Sequence, residues 1–352
     1  MLTWQRFYAA VSLLFALSPE NAYSHNNNDN LWPEPEQSGW SLHIDNDLFS
    51  PHKQDRDYTG GINITFAGQH VKRWPISVDR ALTFINQGLG IRHPNNLYLH
   101  SLQLGIAAFS PEDIQQENIV YDDRPYASLL YLANSQLQIV DDNTANQSTL
   151  TVGILGTKAA QRLQESIHQV TGSEPPQGWQ HQIAKGGELT LKYSYAHQRL
   201  WYKQATMEIK QSYEGSLGFL TEANSAISVR WGRISSPWWS FTPDRSEYFA
   251  QPSVGLPMQY RYRQPELYLW AGTKLRVRAY NAFLQGQFRE STFSYQQSEL
   301  EPLLVESWLG VTQQISTHYR LSWVWRYQSA ELKQGHGHRD LIWGSIMINR
   351  DF

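Results

Sequence analysis

The chain has 352 residues, a formal net charge of −3 and no cysteine. The charge leaves no footprint for nucleic acid, and the missing thiols exclude disulfides and thiolate chemistry. The length allows two ordinary domains or one large β-barrel.

In chain order, the first feature is a leader. Met1 to Arg6 is short and weakly basic, residues 7–17 are apolar, and Ala22-Tyr23-Ser24 places small residues at the −3 and −1 positions of a cleavage site. Residues 1–24 are therefore expected to be a secretory signal peptide, too short to span a bilayer as a helix. Residues 25–38, rich in Asn, Pro and Glu, read as a disordered mature N-terminus. After the leader no run approaches the roughly 20 apolar residues that a spanning helix needs, in keeping with a mean hydropathy of −0.52.

The remainder, 39–352, reads as one all-β domain. In 205–213, Ala205, Met207 and Ile209 oppose Thr206, Glu208 and Lys210. In 267–280, Leu267, Leu269, Ala271, Leu275, Val277 and Ala279 oppose Lys274, Arg276 and Arg278, three cations that read as balancing lumen charge. In 320–328, Leu321, Trp323, Trp325 and Tyr327 oppose Arg320, Ser322, Arg326 and Gln328. The last segment keeps Ile342, Ile346, Ile348 and Phe352 in phase. Period-2 alternation gives each strand one apolar and one polar face. A soluble sandwich shows the same period, but two further cues favour a transmembrane antiparallel β-barrel. Aromatics near segment ends (Trp231, Trp238, Trp239, Tyr260, Tyr262, Trp308, Trp343) suit interfacial girdles, and the terminal Phe352 resembles a barrel sorting signal. The pattern gives about 12 strands, an even number as expected.

Only 157–171 has helical spacing, through Ala160, Leu163, Ile167 and Val170, with Thr157 placed to cap its start and Gly172 its end. Residues 70–98 fit neither period and are expected to form a long turn or a bent hairpin.

With the N-terminus on the periplasmic side, odd strands run outward. Strand one (about 39–48) then ends at the outer face at Asn46-Asp47, strand two (about 58–69) starts there at Thr59, and strand three covers about 100–109. Asp141-Asp142-Asn143 becomes a periplasmic turn, and strand five (about 148–155) runs out to the helix. Parity gathers Asn46, Asp47, Thr59, Arg124, His168 and Glu174 at the outer end, where loops on rigid strands carry sites. Gln164 and His168, four apart, share a helix face, expected roughly opposite the apolar stripe. His168 suits general-base work. Asp47 lies on the polar face of its strand, where a carboxylate suits a hard cation such as Ca²⁺, and Glu174 adds a second carboxylate. Asn46 falls in the apolar phase, with Leu42 and Ile44, and so faces lipid. The same residues admit plainer readings: exposed helix histidines are commonly inert, and Asn-Asp pairs and Gly60-Gly61 commonly make turns and strand bends.

These segments, in this order, resemble the outer-membrane lipid A 3′-O-deacylase family, the LpxR type. The resemblance runs through Ile44-Asp45-Asn46-Asp47, the stretch from Asp55 to Gly61, Phe109-Ser110-Pro111, Asp123-Arg124-Pro125-Tyr126-Ala127, and Gln164 to Ile183, and is clearest from residue 40 to 190. It implies a 12-stranded, Ca²⁺-dependent, monomeric barrel that hydrolyses the ester of the 3′-linked acyloxyacyl group of lipid A. It places Asn46, Asp47, Thr59, His168 and Glu174 on active-site positions and Gln164 on a matching polar position. The basic residue that the family carries after its Ser-Pro motif has no counterpart here, where Gln115 and Gln116 stand; Arg124 is the substitute considered for substrate phosphate. On this reading His168 activates water, Asp47 and Glu174 hold the metal, and Asn46 and Thr59 position the carbonyl. No Gly-x-Ser-x-Gly elbow supports a serine nucleophile. The competing expectations are a phospholipase-like esterase, a non-catalytic barrel or channel with degenerate residues, and a soluble carbohydrate-binding β protein.

Overall fold

Alternation along the chain becomes a wall with a polar inside. The computed structural model describes residues 34–46, 49, 57–92, 97–171, 173–245 and 265–352. Twelve strands among them form one closed antiparallel barrel: β1 (Gly39–Asn46), β2 (Asp57–Ala67), β3 (Tyr98–Ser110), β4 (Ala127–Ile139), β5 (Thr144–Leu155), β6 (Glu188–Gln204), β7 (Met207–Gly218), β8 (Leu220–Arg233), β9 (Leu267–Asn281), β10 (Leu303–Gln314), β11 (Tyr319–Gln328) and β12 (Leu341–Asp351). Each strand pairs with its chain neighbour. β1 closes on β12, with Gly39 opposite Asp351 and Asn46 opposite Gly344. Closure removes both sheet edges, which is the condition for strands to cross hydrocarbon. Residues 1–33, including the expected signal peptide, lie outside the described residues. Residues 34–38, expected to be disordered, instead run along the barrel: the Ser38 N–H donates to the Ala67 carbonyl at 2.9 Å, and Glu34 pairs with His100 at 2.8 Å.

The burial pattern follows the alternation. On β9, Lys274, Arg276 and Arg278 are buried while Leu269, Leu275 and Val277 are exposed. The buried charges are paired, as burial demands. Glu306 meets Lys274 at 3.1 Å, Arg276 at 2.5 Å and Arg326 at 2.6 Å. Glu222 meets Arg276 at 3.2 Å and Arg278 at 2.7 Å. The lumen-charge reading of the three β9 cations therefore holds.

Segments from both ends fill the lumen. After β8 the chain turns inside, where Trp238 and Trp239 pack on Leu99, Leu137, Ala145 and Leu200. Asp244 pairs with Lys210 at 2.7 Å, and Arg245 with Glu214 at 3.2 Å. At the opposite end the short helix α3 (Ala282–Gln285) buries Phe283 against Phe109 and Phe219, with ring centroids 4.7 and 6.0 Å apart. In chain order α3 follows α1 (Asp79–Gly88) and α2 (Lys158–Thr171).

Two expectations are corrected. The described residues of 70–98 form neither a turn nor a hairpin: they hold most of a 3-10 helix (Gln69–Arg73) and α1, so 157–171 is not the only helical stretch. The aromatics named as girdles divide by phase. Trp231 is exposed on the wall, but Trp308 and Trp343 point into the lumen, and Trp238 and Trp239 belong to the inserted segment. The exposed aromatics of β6 and β11 are Trp201, Tyr202, Trp323, Trp325 and Tyr327. Tyr260 and Tyr262 lie outside the described residues.

Candidate functional site

The loops distant from the termini build a cleft, beginning with a bulge in β2. Asp57 pairs with Ser110 and Gly60 with Ala108, so Tyr58 and Thr59 together face the single Phe109. The extra residue interrupts the alternation of the strand, so Thr59 and Gly60 both fall on the outer side. Tyr58 packs inside the barrel, and its hydroxyl donates to the Asp45 carboxylate at 2.8 Å. Thr59 points the other way and shares a 2.6 Å hydrogen bond with the Ser110 hydroxyl. Gly60 has φ of +152°, and a Cβ there would lie 2.6 Å from the Asp45 carbonyl oxygen and 3.3 Å from Asn46 Nδ2. Glycine is what lets β1 approach the bulge this closely. Asn46 uses the approach: its Nδ2 donates to the Thr59 carbonyl at 3.0 Å.

The second side of the cleft is α2. Thr157 caps it, its hydroxyl accepting from the Ala159 N–H at 3.4 Å. Ala160 packs on the outward-facing Ala108, beside Tyr126 and Trp179. Gln164 and His168 follow at four-residue spacing and are both buried. They stand beside the apolar stripe, not opposite it, because four residues advance a helix only about 40° past a full turn. Ala160, Leu163 and Ile167 therefore line the same cleft as the polar pair. Each polar side chain is held from outside the helix. Trp179 Nε1 donates to Gln164 Oε1 at 2.8 Å, and His168 Nδ1 lies 2.5 Å from the Glu174 carbonyl oxygen.

Between these walls lies a cavity of about 300 Å³, lined by Ile44, Asn46, Phe49, Thr59, Gly60, Ile62, Ala108 and the α2 residues. Ile44, Asn46 and Ile62 occupy the outward phase of β1 and β2, so the cavity opens on the outer wall and not on the lumen. The structure thus brings together Asn46, Thr59, Gln164 and His168. Glu174 contributes its carbonyl, while its side chain is exposed. Asp47 lies outside the described residues, as does Gly172. Arg124 is a correction. It is buried inside the barrel, paired with Glu331, 4.0 Å from Asp57 and 5.0 Å over the Phe109 ring, and it does not line the cleft. A loop arginine has no alternation to reveal its side, and here the lumen carboxylates claim it. Sequence reasoning assigned no role to Ser110 and Trp179, although both stand in the motifs it singled out.

The donor chemistry suits a hard cation in kind: carboxamide, hydroxyl and peptide oxygens are ligands that Ca²⁺ accepts. Among the described residues that line the cleft the one carboxylate is Asp45. Asp45 commits its carboxylate to His43, Tyr58 and Ser345. Among the described residues no three of His, Cys, Asp and Glu gather to hold a metal. A cation here would take its charge from Asp47, next to Asn46, and from the side chain of Glu174.

Ionic contacts brace the neighbouring loops. Arg339 reaches Asp57 and Asp123, each at 2.8 Å. His336 pairs with Asp122, which raises the histidine above its ordinary value and holds the carboxyl below the usual carboxylate range.

The profile of a family described as outer membrane protein LpxR matches residues 8–352. Among solved structures, LpxR from Salmonella typhimurium superposes with a TM-score of 0.67 at 16% identity, covering 90% of this chain and 100% of that one. The β domain of the Bordetella autotransporter BrkA follows at 0.43 and 8% identity, covering 90% of this chain and 100% of that one. A KdgM porin stands at 0.38 and 4%, covering 89% and 99%. A search of curated proteins returns no match.

Proposed function

This chain belongs to the LpxR family of outer-membrane proteins, and from that premise we propose that it removes the 3′-linked acyloxyacyl group of lipid A by ester hydrolysis. The observation that carries the reading is the position of the cleft. It puts a buried histidine on the outer wall of a membrane barrel, at the end away from the termini, among apolar residues that suit acyl chains. A lipid ester reaches His168 there without leaving the bilayer.

The geometry suits His168 as general base. With Nδ1 facing the Glu174 carbonyl, the proton of the neutral ring sits on Nδ1 and the lone pair on Nε2. Nε2 takes a proton from water as the water oxygen adds to the ester carbonyl. The tetrahedral intermediate then expels the sugar oxygen, which His168 reprotonates. The products are a free acyloxyacyl acid and a 3′-hydroxyl. Asn46 and Thr59 orient the ester by hydrogen bonds, and Gln164, fixed by Trp179, contacts the substrate beside them. Asp47 and Glu174 are the side chains proposed to hold Ca²⁺, which when bound supplies Lewis-acid polarisation of a carbonyl. A passive channel fits poorly with a lumen filled by residues 234–245 and α3.

Purified protein in detergent micelles, given Ca²⁺ and either lipid A or a glycerophospholipid, tests the reading. Release of acyloxyacyl acid from lipid A alone is expected. Release of fatty acid from the glycerophospholipid instead would assign a phospholipase, and release from neither would leave a non-catalytic barrel.

A further inference from the structure

A second feature of the outer wall lies at the opposite end from the cleft. On β4, Ala127, Leu129, Tyr131 and Ala133 point into the interior cluster, so the intervening residues point outward, and Leu130 is 44% exposed. The same alternation sends Asn134 and Gln136 outward, yet they are 0% and 1% exposed. Bare amides on that wall are costly, because hydrocarbon offers them no hydrogen bonds.

Helix α1 covers them. Asn134 Oδ1 accepts from the Val78 N–H at 2.9 Å. Gln136 Nε2 donates to Asp79 and to Thr83, both at 2.8 Å. Asn86 Nδ2 donates to Gln136 at 3.0 Å and to the Ser148 hydroxyl of β5 at 2.7 Å, while its carbonyl accepts from Tyr193 of β6 at 3.0 Å. The polar face of α1 is therefore spent on the barrel. Leu82 also packs inward, but the exposed side carries Phe84 at 76%, beside Arg80 and Gln87, with the exposed Ile76 just before the helix and Leu89 just after it. A helix lying on a water-facing surface turns a large aromatic such as Phe84 toward the protein instead. The exposed Arg80 follows the cation Lys72, Arg73 is paired with the exposed Glu36, and the carboxylate of Asp79 is turned inward. The linker that carries α1 joins the end of β2 to the start of β3, the barrel end that holds Gly39 and Asp351.

We infer that α1 is an interfacial helix that seats Phe84, Ile76 and Leu89 among the acyl chains of phospholipids in the periplasmic leaflet. It continues the lipid-facing belt of the strands over a stretch where the wall itself is polar, and its basic flank suits anionic headgroups. This role is independent of the chemistry proposed for the cleft.

The chain has no cysteine, so Phe84→Cys supplies a single thiol for a fluorescent label. The labelled protein is reconstituted into vesicles of phosphatidylethanolamine and phosphatidylglycerol. Leu269→Cys on the exposed face of β9 and Asp113→Cys in an exposed loop serve as references. Quenching by nitroxide-bearing lipids that matches the Leu269 site, with protection from aqueous iodide, is the expected result. Iodide quenching equal to that at Asp113 would overturn the inference and leave α1 facing water, free for a soluble partner. Should Phe84→Cys fail to fold, Ile76→Cys gives the same readout.

Discussion

At the scale of single residues the account rests on His168 and on the bulge that faces it. Replacing His168 by Ala removes the proposed base, and general bases contribute about 10²–10⁴-fold in rate. Lipid A hydrolysis by the purified variant should fall by that order while the barrel still shows heat-modifiable migration. Gly60→Ala tests the bulge. Its Cβ would meet the Asp45 carbonyl oxygen at 2.6 Å in a conformation that L side chains rarely adopt, a strain of about 1–3 kcal/mol. Activity should drop as Asn46 and Thr59 move apart, with the fold retained; unchanged kinetics would show that the bulge does not position them. Part of this was legible beforehand. The phase of β1 marked Asn46 as outward-facing among apolar neighbours, and helical spacing paired Gln164 with His168. Arg124 was not legible, because its partner Glu331 lies more than two hundred residues away in sequence. The side of the helix that carries His168 was misjudged because the apolar stripe lines the cleft together with the polar pair.

At the scale of elements, three of the six hydrogen bonds described between α1 and the barrel run through Gln136. Gln136→Leu takes the hydrogen-bond donor away from the buried Asp79 carboxylate while Asn86 keeps Ser148 and Tyr193, and an unsatisfied buried polar group costs about 1–3 kcal/mol. The midpoint of thermal unfolding in detergent should fall, and protease should cut between β2 and β3 first. The outer loops carry a pH-dependent tether. Because Asp122 raises His336, the histidine's stabilising contribution is full below the ordinary histidine value and is lost as pH rises through its raised value. Because His336 lowers Asp122, the carboxylate's contribution is present above the ordinary Asp value and is lost as pH falls through its lowered value. Histidine NMR should place the His336 midpoint above about 6.5, and Asp122→Asn should return it there; a midpoint at or below that value in the native protein would contradict the pairing. The strands were legible because alternation repeats along each of them. α1 was not: its polar residues Asp79 and Asn86 face the barrel with Leu82 while Phe84 faces out, so the stretch shows no clean helical period.

At the scale of the whole molecule, a closed barrel carries buried charge that stays stable only while every ion has its partner. Glu306→Gln leaves Lys274, Arg276 and Arg326 around a neutral amide. Breaking buried pairs in this way costs about 3–5 kcal/mol, so the variant should unfold at markedly lower temperature; a wild-type melting profile would show that the network contributes little. Strand number and polarity were readable from period-2 patterning. The filled lumen was not, since Trp308, Trp343 and the segment from Trp238 to Arg245 look in sequence like interfacial aromatics and an ordinary turn. The central claim, that this barrel deacylates lipid A with His168 as base, is tested most directly by mass spectrometry of lipid A from cells expressing the wild-type chain or His168→Ala. Loss of one acyloxyacyl unit with the wild type alone is the predicted result. An unchanged profile with the wild-type protein folded in the outer membrane would contradict it.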